Sequence, residues 1–504
     1  MDSCVQILCS FLRSRGYGTR TSGGLAMQTS PTATAAFRDW PLSNIKRFAG
    51  WIGTAVVAIH LIGPEPTFTQ TQTDLSKTAC GYPNYCARTD RRIEPYPQTP
   101  PSVGPVGSIV LDPNFGSRIL RVTDANTDSR RPGQSFHTPS SSQQNSWNST
   151  TTKFYVVETG GQLVLYDFDP SKMTGKVADI LRLHWRGEPQ FSYSRPNLMY
   201  GVSNESPEFQ QYDLSTGKLS TIHKVSDCLK VSGADHAFDI SVSADDRLFM
   251  GVIGPGQDTN YLVYLYDREK GCRWLDTQKG EIGGQWGMKG TLPPSSLRFG
   301  VHDARISKSG EFAAITGSHQ GPVIWQVGTL KMVLCSGQPP DSCGGHHALG
   351  YSHMINPSRR HHPMELLVRP LTNLSHTASV VPDLQPPQGW YDKHISWNNV
   401  DPSDSNPACL SNYRTDNPDT PGAPLTVRGP WENEIDCFEM DGKGSRVWRF
   451  AHTYSTARNG FWTTPRGNVS QDGRFYMFTS DWQDELGLAR DGKHRHDVFV
   501  VELK

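Results

Sequence analysis

The chain has 504 residues, of which 49 are basic and 49 acidic, so its formal charge at neutral pH is zero. That balance leaves no electrostatic footing for nucleic acid or an anionic membrane surface as a partner. With 47 glycines, 36 prolines and 10% aromatic residues, the composition argues for strands and turns over long amphipathic helices.

Residues 1–64 read as a leader. Lys46 and Arg47 precede an apolar run, Phe48–Gly63 (FAGWIGTAVVAIHLIG), shorter than the roughly 20 residues of a spanning helix and flanked as an export signal is. No small-x-small cleavage site follows, so the run is either a signal or an uncleaved anchor, the one route by which the chain would meet a membrane. Residues 65–110, rich in proline, threonine and glutamine, read as an exported linker closed by CGYPNYC. Beyond the leader the cysteines form an even set of eight without a CxxC pair, which argues for disulfides in an oxidising compartment rather than a zinc ribbon. Pairing neighbours gives Cys80–Cys86, Cys335–Cys343, Cys228–Cys272 and Cys409–Cys437.

From residue 111 to 504 one unit recurs. In Val301–Thr316 (VHDARISKSGEFAAIT) polar and apolar residues alternate as in a half-buried strand, a Ser-Lys-Ser-Gly turn follows, and a second strand resumes. The same unit starts at Gln144, Gln190, Asp239, Asp303, His353, His394 and Arg466, at intervals of 46, 49, 64, 50, 41 and 72 residues. Two further strands complete each clear unit, and four strands at this period are the signature of a propeller blade. The seventh unit ends after its third strand, and Ser117–Asp124 (SRILRVTD) precedes the first unit without a blade of its own. The expected fold is therefore an all-β, seven-bladed β-propeller of four-stranded antiparallel blades, with residues 117–124 completing the last blade and leaving no open edge.

In a propeller the first strand of each blade lies nearest the axis. The seven leading residues then line a channel mouth, and all seven are polar, as are most of those two positions on, Arg305 among them. His353 and His394 from successive blades, beside Asp303, suit a divalent metal such as manganese, zinc or iron. His346 and His347, in a glycine-rich loop, are placed to join His353. His494 and His496 alternate in KHRHD and share a face of the last strand. No GxSxG elbow, phosphate-binding loop or dinucleotide fingerprint is present, so neither a hydrolase of that type nor a nucleotide cofactor is expected.

Segments such as HISWNN, DISVSADDRLF and NVSQDGRFYMF resemble the inner-strand-and-turn units of TolB-type propellers, and the histidine before the turn resembles the units of oligogalacturonate lyases. The resemblance covers residues 115–504 at fold level. It implies an exported, monomeric protein acting on an acidic glycan, with metal ligation carried onto His353 and His394. Tyr391 and Ser396 stand where the family's clustered ligands would be Gln and His, so Gln144 and Asp303 complete the expected set. The implied chemistry is β-elimination on a uronate: the carboxylate is neutralised by the metal and by Arg466 or Arg305, and the adjacent proton is taken by His302, with His236 or Tyr391 as further candidates for the base. The alternative is a non-catalytic TolB-like propeller that acts as an envelope scaffold or binds glycan or protein.

Overall fold

A serine at the start of each well-formed turn explains why the units fold as they do. In the fourth unit the Ser307 hydroxyl accepts the Phe312 N–H at 3.2 Å, and Ser243 and Ser470 do the same for Leu248 (2.9 Å) and Phe475 (3.1 Å). Asp245 and Asp472 in turn accept from Arg247 and Arg474 backbone N–H groups. The residue that must turn left-handed is Gly310 (φ 75°) or Gly473 (φ 67°), where glycine adopts the conformation without steric cost, and Asp246 (φ 57°) in the third unit. The apolar second strands then carry the chain into the core.

The computed structural model describes residues 80–504 except 234, 294–298, 318–319, 335–342, 344–345, 358–364, 382–391, 415–426, 428 and 445. These residues form seven antiparallel sheets, the blades of a seven-bladed propeller, at 136–181, 185–224, 236–291, 301–334, 348–381, 392–452 and 467–502. The apolar segment 48–63 and Tyr391 lie outside the described residues, within which no helix is long and apolar enough to cross a membrane.

The expected closure is present. Arg118–Arg121 pairs antiparallel with Asp497–Glu502, with Ile119 opposite Val501, and a buried ion pair joins Arg121 to Asp497 at 2.6 Å. Ile109–Leu111 adds a fifth strand outside it. Residues ahead of that strand also pack on the propeller: Tyr85 sits edge-on to Trp448 and Phe450 and donates to the Gly473 carbonyl at 2.7 Å. Disulfides Cys80–Cys86, Cys228–Cys272 and Cys409–Cys437 are formed as expected, and Cys335 lies outside the described residues.

Apolar clusters fill the space between neighbouring blades. Trp147, Phe154 and Phe168 of the first blade pack against Phe475 and Met477 of the seventh, and the Trp147 indole donates to the Asn468 carbonyl at 3.1 Å. That contact locks the first blade to the last across the closure.

Two departures from the expected repeat bear on the site. In the fifth blade the inner strand is Ala348–Leu349, and His353 opens the second strand, His353–Pro357. The expected register there was one strand late, because a short Gly350–Ser352 turn replaces the longer turn of the other blades. In the first blade the inner strand is broken: Phe136–His137 pairs with the end of Lys153–Glu158, the chain leaves the sheet, and Trp147 returns to pair with Phe154. This brings His137, which no repeat register singles out, to the same end of the propeller as Arg466. The third blade carries extra strands, Glu281–Gly284 and Gly290–Thr291, where a long interval precedes Asp303.

Candidate functional site

Contacts between non-adjacent blades show that the first strands line the axis. Arg305 of blade 4 donates to the Gln144 side-chain carbonyl of blade 1, Lys308 of blade 4 reaches the Tyr193 hydroxyl of blade 2, and Asn398 of blade 6 donates to Asn145 of blade 1 at 2.7 Å. At the mouth formed by the leading ends of the inner strands, the strand pairing of blades 2, 3 and 4 is irregular, between Arg186 and Gln190, Phe238 and Ser241, and Val301 and Asp303. Bulges of this kind re-aim side chains, and they hold Glu188, Asp239 and His302 at the mouth.

One arc of the mouth, on blades 1 to 4, is a closed network around Arg305, which is buried. Asp303 pairs with its guanidinium at 3.0 Å, and Gln144 donates to the Glu188 and Pro189 carbonyls at 2.8 and 2.7 Å. Burial pushes the Asp303 carboxyl up, but Arg305 outweighs it and holds the group below the ordinary range. Asp239 is held above that range by burial and by the Asp303 charge, against the pull of Arg305. Glu188, also raised by burial, accepts hydrogen bonds from the Ser140 N–H and hydroxyl at 2.6 and 2.8 Å.

A second arc, on blades 5 and 6, is an aromatic stack. The His394 ring lies 4.2 Å from His346 and 6.0 Å from Tyr413, and His346 Nδ1 bonds the Lys393 carbonyl at 3.0 Å.

The third arc, on blades 7 and 1, is built on Arg466. Its side chain is fully buried, and among the described residues Nε and both terminal nitrogens have no hydrogen-bond partner. Its guanidinium carbon lies 3.7 Å from the Phe461 ring centre and 4.9 Å from that of Trp462. These two aromatics are themselves 44% and 42% exposed, so they form a roof with one face to solvent and the other on a cation. The His137 ring packs on Trp462 at 4.1 Å, with His496 6.3 Å from His137. Burial lowers the Arg466 guanidinium to about 10.

The remaining residues singled out from sequence are dispersed. His302 is half-exposed and its Nδ1 meets the Asp258 carboxylate at 2.8 Å, within electrostatic range of Asp239 and Asp303. His236 begins the inner strand of blade 3, edge-on to Phe238. His353 lies at the other end of the inner strands, at the turn, where its Nδ1 and backbone N–H both reach Asp404 of blade 6 at 3.0 Å.

The four expected metal ligands are thus not assembled: Gln144 and Asp303 meet on Arg305, His394 stands in the aromatic stack, and His353 faces the opposite end. Among the described residues no group of three or more His, Cys, Asp or Glu side chains is placed to hold a metal. At the Gln144–Asp303 arc the Arg305 guanidinium already bonds both side chains. The donor set therefore does not fit the metal, and no chemical step is routed through one.

Sequence reasoning missed Glu188 and His137. Glu188 lies in a bulge ahead of the repeat register, and His137 in the broken first strand. His496 was flagged only for its alternation with His494, and 359 residues separate it from His137.

No protein-family model matches the chain, and no curated protein matches it in sequence. Solved structures do resemble it in fold. Oligogalacturonate lyase from Vibrio parahaemolyticus aligns with a TM-score of 0.50 at 12% identity, over 78% of this chain and 96% of that one. An oligogalacturonate lyase in complex with manganese aligns at 0.49 and 13% identity, over 83% and 98%. TolB from Acinetobacter baumannii aligns at 0.27 and 16% identity, over 52% and 60%. At 12% identity the likeness to the Vibrio protein is one of fold alone.

Proposed function

We propose that the protein is an exported acidic-glycan protein that takes a uronate residue at the channel mouth, and that it cleaves the glycan by β-elimination. The observation that carries this reading is Arg466: a buried guanidinium with three unbonded nitrogens under two solvent-facing aromatic rings. A planar carboxylate satisfies such a fork through paired, charge-assisted hydrogen bonds; because the guanidinium has no exposed surface, the carboxylate reaches it when the Phe461–Trp462 roof swings aside. Neutralising the carboxylate acidifies the neighbouring C–H. His302 is the base in this reading. Its Nδ1–H is directed at Asp258 at 2.8 Å, and Nε2, 3.5 Å from the Gln257 amide, takes the proton once substrate displaces that amide. The disulfides support an oxidising compartment.

The second reading, a non-catalytic glycan-binding module, is favoured by one observation: Gln144 and Asp303 are already committed to Arg305. A panel of uronate and neutral glycans tests both readings. Ultraviolet absorbance from unsaturated uronate products, lost in Arg466→Met and His302→Ala, supports the lyase. Binding of uronate glycans without such products supports the module. Equal binding of neutral and uronate glycans, or none of either, overturns both.

A further inference from the structure

Deepening the reading of the Arg466 site, on which it rests, we propose that His137 and His496 couple the binding of a carboxylate ligand there to the uptake of a proton. Both imidazoles stand beside the same cation. His137 touches the Trp462 ring that also covers Arg466, and His496 is 7% exposed with its ring centre 6.3 Å from that of His137. His137 Nδ1 lies 2.8 Å from the Thr138 carbonyl. That carbonyl can only accept, so Nδ1 carries the hydrogen and Nε2 keeps its lone pair.

Without ligand both rings are neutral. Burial comes first and the Arg466 charge second, and together they hold His137 well below its ordinary range and His496 at about 4. The other groups facing His496 are Asp491, Lys493 and the His494 backbone; those facing Arg466 are Glu188 and Tyr413. Asp491 and Lys493 act on His496 in opposite directions, so Arg466 is the repulsive charge that a ligand changes. A carboxylate seated on the guanidinium cancels that repulsion and presents acceptor oxygens to a charged imidazole. Both effects raise the proton affinity of the rings. The proton comes from solvent, and no bond to the ligand forms or breaks.

The test is titration calorimetry of the full chain with D-galacturonate between about pH 5 and pH 8, in two buffers of different ionisation enthalpy. Where the linkage operates, affinity falls by up to about tenfold per unit rise in pH, and proton uptake approaches one per ligand. Galactose, which lacks the carboxylate, should not bind in this way. His496→Asn should keep binding at the high-pH level and lose most of the pH dependence, and His137→Asn should reduce it. If either variant misfolds by circular dichroism, the buffer dependence of the native protein decides alone. Binding that Arg466→Met abolishes but that neither pH nor buffer alters overturns the coupling and leaves the site reading intact. No galacturonate binding at any pH overturns both.

Discussion

Replacing Arg466 by methionine should make the protein more stable while abolishing the carboxylate binding proposed for it. The side chain has no exposed surface, and three guanidinium nitrogens lack hydrogen-bond partners among the described residues. An unsatisfied buried donor costs about 1–3 kcal/mol, more when charged. Against this stand the ring contacts with Phe461 at 3.7 Å and Trp462 at 4.9 Å, worth about 0.5–2 kcal/mol in total by the usual range for such pairs. Glu188 and Tyr413 act on the charge electrostatically, but no hydrogen bond from either reaches the guanidinium. Methionine fills a similar volume and packs on aromatic faces without a polar group to satisfy. The balance favours the variant by about 2 kcal/mol, in line with replacements of buried charges by apolar residues. In a domain this large that corresponds to a rise in Tm of about 2–5 °C. Thermal unfolding by circular dichroism, paired with galacturonate titration, checks both halves. A fall in Tm of similar size would refute the reasoning, because it would mean that Arg466 is held by the fold rather than held ready for a ligand.

The other predictions concern the frame around the site. Trp147→Ala should cost about 3–5 kcal/mol, since it empties the contact between blades 1 and 7 and strands the Asn468 carbonyl; a change under about 1 kcal/mol in the denaturant midpoint would contradict the locking role. Asp404→Ala should destabilise by about 3 kcal/mol, because its carboxylate receives the Tyr351, Ser352 and His353 N–H groups at 2.7, 2.8 and 3.0 Å. Burial alone would raise Asp404, but the His353 imidazole first, and then the Tyr351 and Ser352 N–H groups and the Asn399 amide, hold it below its ordinary range. Its contribution is therefore present above about pH 4 and is lost as pH falls through the lower folded value; a variant with the native acid-unfolding profile would count against this. Lys308 is 8% exposed beside Tyr193 and burial lowers it to about 7. Between that value and its unfolded value the unfolded chain binds more protons, so stability should rise from neutral pH towards about pH 10. Lys308→Met should flatten the rise, and an unchanged slope in denaturant titrations would exclude Lys308 as its source.

Local chemistry determined the architecture. Serine-initiated turns, period-two strands and an orphan strand ahead of the first unit were enough for seven blades and their closure, because each of these acts over a few residues and repeats. The same logic placed Gln144, Asp303, Arg305, His394 and Arg466 at the axis. It failed at His353, where a three-residue turn shifted the strand and sent the histidine to the opposite end of the channel, into the hands of Asp404. What only the tertiary structure decided is which axis residues meet. Arg305 captures Gln144 across the ring and Asp303 on its own strand, which dissolves the expected metal set, and Arg466 is left without a hydrogen-bond partner among the described residues. The company Arg466 keeps comes from ring closure, which brings His137 from a broken strand near the start of the propeller against His496 near its end. Separations of that length carry no local pattern, so the cluster around Arg466 becomes visible only once the ring is closed.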